Sequence, residues 1–570
     1  MKLVADLVVQ TLEEAGVKHC YGIVGDTLNY ITTAMAHSKI EWVHMRHEEA
    51  GAFAAGAEAL ISGELTACAG SCGPGSLHFI NGIYESNRNR APVVLIASQI
   101  ARNELGMDYP QEVDFKGLYS HCSVFCEEVK TAEQAQRITA MACQAALSKR
   151  GVAVIILPSD ISETKIKPGL HFQVIKPNPV IRPSDNELKA IADILNSGKK
   201  VTVYTGAGAE GAHDVLVELS RKLKAPMAHS SRGKDFVGYD NPYNVGMTGL
   251  FGTKAGFEAM AECDTLLLLG TDFAFTQFYP DKAKIIQVDN DATHIGRRHP
   301  VEIGVVGTVK DTVEALLPLI KEKDNDSFLK HCLKIRDDVE KEEAKKTDAG
   351  KSELIHPQYL VKLISQYADD DAYLTADCGS PMVWSLRHFD VNGKRRTLVS
   401  LLHGTMANAM PQALGLQKAY PKKQVISLSG DGGISMMLGD LLTTIQEKLP
   451  IKVVVFNNAS LNFVELEQKV EGLVNHYTDL INPNFAKLAD AIGMKGYRVK
   501  KQSDLEKTVQ EFLKTEGPAL LDVQTNGYEL VMPPKIEMSQ VAGTTLYGVR
   551  ALLEGRVKDV EKLVVNNFVK

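Results

Sequence analysis

Residues 425–458 read VISLSGDGGISMMLGDLLTTIQEKLPIKVVVFNN. An apolar run, Val425–Leu428, stops at Gly430-Asp431-Gly432-Gly433. A helical pattern with apolar Met437, Leu441 and Ile445 follows, and Pro450 ends it before a second apolar run, Ile451–Phe456. Strand, glycine turn, helix and strand in this order make a βαβ unit. Glycines after the first strand let backbone N–H groups approach an anion where the helix begins. Asp431 offers a carboxylate there. Asn458 offers an amide oxygen at the end of the next strand. Neighbouring parallel strands bring such ends together, and a set of hard oxygens suits Mg²⁺.

The pattern has an echo. Residues 65–98, LTACAGSCGPGSLHFINGIYESNRNRAPVVLIAS, repeat the order strand, Gly-rich turn, helix, proline, strand. This predicts two domains of similar fold. Ser71 stands where the second copy has Asp431, so only the second copy is expected to hold a metal. Other short apolar runs, Val152–Leu157, Val201–Tyr204, Thr265–Leu269 and Ile285–Val288, also alternate with helical patterns. The expected class is α/β, with doubly wound parallel sheets covered on both faces. Pro177, Pro179 and Pro183, with Pro168 upstream, mark a linker, and the charged stretch Lys321–Ser352 marks another break. The expected domains are 1–182, 183–340 and 341–530, followed by a tail over 531–570.

Composition narrows the function classes. The chain has 570 residues and a net charge of −7, which argues against nucleic-acid binding, since phosphate contacts need a basic face. Nine cysteines form no CxxC pair, so buried thiols in a reducing cytoplasm are expected rather than disulfides or a zinc site. The N-terminal residues suit an amphipathic helix ending near Gly16 rather than a signal peptide. No run of eighteen apolar residues occurs.

Gly-Asp-Gly followed 27 residues on by Asn458 resembles the thiamine diphosphate motif. The resemblance implies that Asp431 and Asn458 ligate Mg²⁺ through side chains and Ser460 through its carbonyl. Gly432 and Gly433, and Ala459, Leu461, Asn462, Phe463 and Val464 around the second strand end, would complete the diphosphate site. Arg46-His47-Glu48-Glu49-Ala50 resembles the family element in which a glutamate, here Glu48, donates to the pyrimidine ring and sets the imino tautomer that removes the thiazolium C2 proton. Leu402–Met410 resembles the segment that bends the cofactor: Gly404 would accept from its amino group, Thr405 would line it, and Met406 would wedge between its rings. In this family the two cofactor-binding domains come from different subunits, which implies a homo-oligomer, a tetramer.

The central region carries Gly206-Ala207-Gly208-Ala209-Glu210-Gly211 after a strand and opening a helix. A nicotinamide dinucleotide site would want an acid roughly 20 residues on. The next strand-end acid, Asp289, is much further, so a tight strand–helix turn is the simpler reading. Three segments instead resemble the flavin domain of pyruvate oxidases and acetohydroxyacid synthases. By that resemblance Thr248, Gly249, Leu250 and Phe251, then Thr271, Asp272, Phe273, Ala274 and Phe275, would line FAD, and Asp289 would bind its ribose.

Across the whole chain the sequence resembles the thiamine diphosphate-dependent pyruvate oxidase family, and within it the bacterial pyruvate:quinone oxidoreductases. RHEEAGAFAAGAEA, CAGSCGPGSLHFINGIYE, DNPYNVGMTGL, HGTMANAMPQALG and GDGGISMMLGD carry the likeness. The implied reaction is oxidative decarboxylation of pyruvate to acetate and CO₂, with electrons passing through FAD to ubiquinone or menaquinone. His78, Gln111, Phe463 and Glu467 would position substrate. The family usually has an aromatic residue before this glutamine; here Pro110 stiffens the loop and removes a ring. Acetolactate synthase, a phosphate-dependent pyruvate oxidase and a non-catalytic cofactor-binding scaffold are the alternatives. In the tail, Val557, Val560, Val564 and Phe568 recur at helical spacing beside Arg556, Lys558, Lys562 and Lys570. This predicts a basic amphipathic helix attaching a cytoplasmic enzyme to the inner membrane surface, where quinone dissolves.

Overall fold

The computed structural model describes residues 1–167, 169–346, 354–529, 538–554, 556, 560–561 and 563. The first sheet holds β1 (His19–Gly22), β2 (Glu41–His44), β3 (Thr66–Gly70), β4 (Val93–Gln99), β5 (Phe125–Glu128) and β6 (Val152–Pro158). Their order is β2-β1-β3-β4-β6-β5, all parallel. The central sheet holds β7 (Val201–Thr205), β8 (Met227–His229), β9 (Asn244–Met247), β10 (Thr265–Leu269), β11 (Lys284–Asp289) and β12 (Ile303–Val306), in the order β9-β8-β7-β10-β11-β12. The third holds β13 (Tyr373–Ala376), β14 (Arg396–Val399), β15 (Val425–Gly430), β16 (Lys452–Asn457), β17 (Lys495–Val499) and β18 (Ala519–Gln524). Its order, β14-β13-β15-β16-β18-β17, is that of the first sheet strand for strand.

The expected fold class is therefore what the chain adopts, and the sequence echo is a repeated topology. Strands such as β4 and β6 are buried at every position, which is why they read as unbroken apolar runs. The first helix, Val4–Glu14, stops before Gly16 at φ +97. Residues 171–183 have no regular structure, and the charged stretch forms the helix Ser327–Lys346. All nine cysteines are free thiols.

Two local readings need correction. The helix expected after Gly433 is broken: it runs Asp431–Met436, passes through a 3₁₀ turn at Leu438–Asp440 and resumes at Leu441–Gln446. The cause is tertiary. The Asp440 carboxylate accepts from the Arg46 N–H at 2.9 Å and from the Thr443 hydroxyl at 3.0 Å, tying the break to the first domain. Likewise, Gly206–Gly211 does not open an α-helix directly; a 3₁₀ turn at Ala207–Ala209 precedes the helix His213–Leu223. A Cβ on Gly208 would lie 2.7 Å from Gly270 Cα. These glycines let two loops pack backbone to backbone.

The first and third domains meet through two small-residue helices, Glu48–Ser62 and Ala409–Ala419. A Cβ on Gly415 would sit 2.1 Å from the Ala54 carbonyl oxygen, so only glycine permits this approach. Past the third sheet, the helix Met538–Leu553 docks on Asn462–Val470, with Arg550 donating to the Gly472 carbonyl at 2.8 Å. Tyr547 is buried there beneath the Lys469 ammonium, 5.4 Å from its ring centre. The expected tail helix rests on Val557, Lys558, Lys562, Val564, Phe568 and Lys570, which lie outside the described residues. Among the described residues no helix is long and apolar enough to cross a membrane.

Candidate active site

Two polar clusters form at the carboxyl ends of the outer sheets, where open parallel sheets place their ligands. The first is built on the helix Glu48–Ser62. His47 caps it, its Nδ1 accepting from the Glu49 N–H at 3.2 Å. Glu48 then lies in the first turn, where a helix favours negative charge. Only 8% exposed, its Oε2 lies 3.1 Å from His78 Nδ1, and the His47 and His78 rings stack at 4.9 Å. Gln111 joins from another loop. The Glu112 N–H donates to the Tyr109 carbonyl at 2.9 Å, and Gln111 has φ +70. Pro110 second and a positive φ third is the pattern of a type II turn. The proline thus aims Gln111 at the glycine loop: Cys72 Sγ donates to Gln111 Oε1 at 3.0 Å, and a Cβ on Gly73 (φ +62) would meet Gln111 Cβ at 2.7 Å.

The second cluster surrounds Asp431. Its Oδ1 accepts from the Gly432 N–H at 2.9 Å. Its Oδ2 accepts from the N–H groups of Asn458 (3.1 Å) and Ala459 (2.7 Å) and from the Asn482 amide (2.8 Å). Burial raises the carboxyl's pKa, and these four donors pull it partly back. Asn458 Oδ1 accepts from the Ser460 N–H at 3.1 Å, and Ala459 takes φ +58 to make the turn. Leu461 donates its N–H to the Thr478 carbonyl, and the Asn462 amide donates to the Gly527 carbonyl. Carboxylate, amide and carbonyl oxygens here make a hard donor set that fits Mg²⁺. Gly404 (φ +76) and Thr405 both donate N–H groups to the Ser400 hydroxyl at 3.0 Å. This places Met406 against the glycine turn: a Cβ on Gly432 would lie 3.2 Å from Met406 Cε.

Sequence reasoning missed two residues. Asp377, just past β13 and 1% exposed, accepts from the Ala409 N–H at 2.9 Å, and a Cβ on Gly433 would lie 2.2 Å from its Oδ2. Burial pushes its carboxyl up to about 7, against hydrogen bonds from the Ala409, Gly430 and Asn408 backbone. Its position at a strand's carboxyl end was the available signal. Asn482, which also donates to Asn457 Oδ1 at 3.1 Å, lies in an irregular segment that gave none. Nor is the second copy alone in grouping metal-capable side chains. His47, Glu48 and His78 hold ligand atoms within 4.8 Å of one another, as do Glu258, Glu262 and His331.

The central domain turns its loops toward the third. Thr248 is buried and Leu250 half exposed, and the Phe251 ring meets Phe463 edge-on at 5.9 Å. Gly249 (φ +110) lies against Phe273 and Phe275. Thr271 and Phe273 are buried, and Ala274 is exposed. Asp272 pairs with Arg297 and Arg298, and Asp289 pairs with His294 at 3.2 Å. Phe463, Val464 and Glu467 share the helix Asn462–Val470; burial raises the Glu467 carboxyl's pKa, and Glu471 adds to this.

Three family models match in order: the thiamine pyrophosphate enzyme N-terminal domain over residues 2–118, its central domain over 188–316 and its C-terminal domain over 377–523. YdaP of Bacillus subtilis (strain 168), described as thiamine pyrophosphate-containing, is 34% identical over 99% of this chain and 98% of its own length. The chain belongs to the thiamine pyrophosphate enzyme family. Among other relatives, pyruvate oxidase of Lactiplantibacillus plantarum is 27% identical, covering 94% of this chain and 91% of its own. Acetolactate synthase isozyme 2 large subunit of Escherichia coli (strain K12) is 29% identical, covering 93% and 96%.

Asp440 gives this family member a pH-dependent joint. Burial pushes its carboxyl up to about 6, so the folded chain holds a proton there that the unfolded chain releases near pH 4. This contribution is fully present below pH 4 and is lost as pH rises through 6. Asp440→Asn keeps the Oδ1 acceptor and never ionises. The variant is expected to match wild type in denaturant unfolding at pH 4 and to exceed it by about 2–3 kcal/mol at pH 8. A constant gap across that range would contradict the assignment.

Proposed function

We propose that this enzyme oxidatively decarboxylates pyruvate to acetate and CO₂, using thiamine diphosphate, Mg²⁺ and FAD, and delivers the electron pair to membrane quinone. The contact that carries the reading is Phe251 against Phe463. It sets the loop assigned to the flavin directly on the helix that follows the diphosphate site. When bound, thiamine diphosphate would supply a carbon nucleophile for the keto group and FAD a two-electron acceptor. Glu48 would donate to the pyrimidine ring, with His78 Nδ1 3.1 Å from its carboxyl. Asp431, Asn458 and Ser460 would hold Mg²⁺, and Met406 would support the thiamine rings. Gln111, Phe463 and Glu467 bound the substrate. Water supplies the acetate oxygen.

Among the described residues, no hydrogen-bond partner of Glu48 is also a partner of Asp431. Tyr477 and Ile481, beside Asn482, are 99% and 104% exposed. Both facts support a homo-oligomer in which the first domain of one subunit completes the site of another, and the family resemblance makes it a tetramer. Membrane attachment through the tail rests on the sequence pattern. Its liposome test needs a chain ending at Leu553, because an earlier end would cut the docked helix Met538–Leu553.

The deciding experiment is anaerobic addition of pyruvate to enzyme loaded with both cofactors. Flavin bleaching with acetate as product is expected. An unbleached flavin with acetolactate formed would make the protein a synthase. Bleaching with acetyl phosphate formed would make it a phosphate-dependent oxidase, and no turnover at all would favour a scaffold.

A further inference from the structure

The loop after β9 is held by a residue that neither the motifs nor the cofactor assignments single out. Within the loop, Gly252 donates its N–H to the Gly249 carbonyl at 2.9 Å, and Thr253 donates to Met247 at 2.8 Å. The carbonyls of Phe251 and Gly252 point the other way, toward the third domain. Arg387 meets both: Nε donates to the Phe251 carbonyl at 3.1 Å, and Nη2 donates to the Gly252 carbonyl at 3.1 Å. A planar guanidinium fork can serve two successive carbonyls at once; an ammonium is a single point.

Arg387 lies in the last turn of the helix Ser380–His388. That turn is itself clamped. Lys234 of the central domain donates to the carbonyls of Leu386 (2.7 Å) and Phe389 (2.6 Å), acceptors that a helix end leaves without intrahelical partners. The other end of the same helix starts in the diphosphate site. Gly379 precedes it at φ +127, Asp377 lies just before, and Ser380 Oγ donates to Asn462 Oδ1 at 3.1 Å. Nine helical residues span about 13 Å. One rigid element therefore begins beside Asp377 and Asn462 and ends on the carbonyls of the Thr248–Gly252 loop. The Phe251–Phe463 contact holds the loop from a second helix, whose first residue is the same Asn462.

We propose that Arg387 is a positioning residue that fixes the flavin-lining loop to the thiamine site, so that filling the diphosphate site is felt at the flavin. The proposal rests on the reading of the Thr248–Phe251 loop as flavin-lining. Arg387 acts through the Phe251 and Gly252 backbone. Its loss leaves two loop carbonyls without their charged donor and disconnects the loop from the helix.

The test uses the full-length, flavin-loaded protein with Arg387→Met and Arg387→Lys. Three quantities are read: amide hydrogen exchange over residues 246–253, flavin release on dilution, and the change in flavin absorbance as thiamine diphosphate and Mg²⁺ are added. In Arg387→Met, loop exchange and flavin release are expected to accelerate about tenfold or more. The absorbance response to thiamine diphosphate should be lost, while its affinity stays within about twofold. Arg387→Lys, which can serve one carbonyl, should recover part of the response, and it carries the test if the methionine variant fails to fold. Wild-type exchange, release and absorbance response in both variants would overturn the proposal and leave the flavin reading intact. A wild-type protein that takes up no flavin would overturn both.

Discussion

Glu48→Gln is expected to lower turnover by about 10²–10⁴-fold, the range over which a positioned proton donor contributes. Thiamine diphosphate binding should change little. The substitution is nearly isosteric, and the helix keeps its cap from His47. What it removes is the exchangeable carboxyl proton. Glu48 is almost wholly buried, and its carboxyl lies against His78, a group that can either donate or accept. An amide can still fill the space and approach a ring nitrogen, but it cannot shuttle a proton. The measurement is steady-state pyruvate turnover beside a calorimetric titration of thiamine diphosphate. Turnover at the wild-type rate would remove Glu48 from the chemistry. Turnover lost together with binding would make it a structural residue. Glu49 is the internal control: its Oε1 accepts from the Asn81 amide at 2.6 Å, a contact that a glutamine oxygen can keep, and Asn81 also donates to Thr405. Glu49→Gln should keep most activity.

The second large effect is expected at Asp431. Replacing it with alanine removes the acceptor of four N–H donors and the only carboxylate of the hard-oxygen set. Each buried donor left unpaired costs about 1–3 kcal/mol, so the Asn458–Ser460 turn would not hold its shape. Binding of thiamine diphosphate with Mg²⁺ should weaken more than about 100-fold, roughly 3 kcal/mol. Flavin retention should be unchanged, since the residues assigned to it lie in the central domain. Equilibrium dialysis with and without Mg²⁺ separates the terms: if added Mg²⁺ strengthens binding equally in wild type and variant, Asp431 is not a metal ligand. Asn482→Ala, which removes one donor from the same oxygen, should show a much smaller loss.

Much of this fold and part of the site are legible in the amino-acid sequence. Buried parallel strands must be apolar on both faces, so β4, β6, β10, β15 and β16 stand out as continuous runs. Asp431 and Asn458 can be paired because a βαβ unit has one handedness and one way of bringing its strand ends together. The echo between residues 65–98 and 425–458 correctly signals a repeated sheet order. The failures share a cause. The break after Met436 depends on Arg46, nearly 400 residues away in sequence, and no local pattern encodes a hydrogen bond between domains. Asp377 and Asn482 reach the site only through the sheet order, which sets β13 beside β15 and folds the Asn475–Asn482 segment back over Asp431.

The sequence alone therefore determined the class of fold, the duplicated frame and the residues at the ends of individual βαβ units, because each depends on contacts within a few tens of residues. The tertiary structure decided which of those ends converge. It alone placed Arg387 on the Phe251 loop, bent the chain at Asp440, gave Glu48 and Glu49 different partners and left Tyr477 and Ile481 uncovered. Those features come from packing between sheets, where distance along the chain says nothing about distance in space.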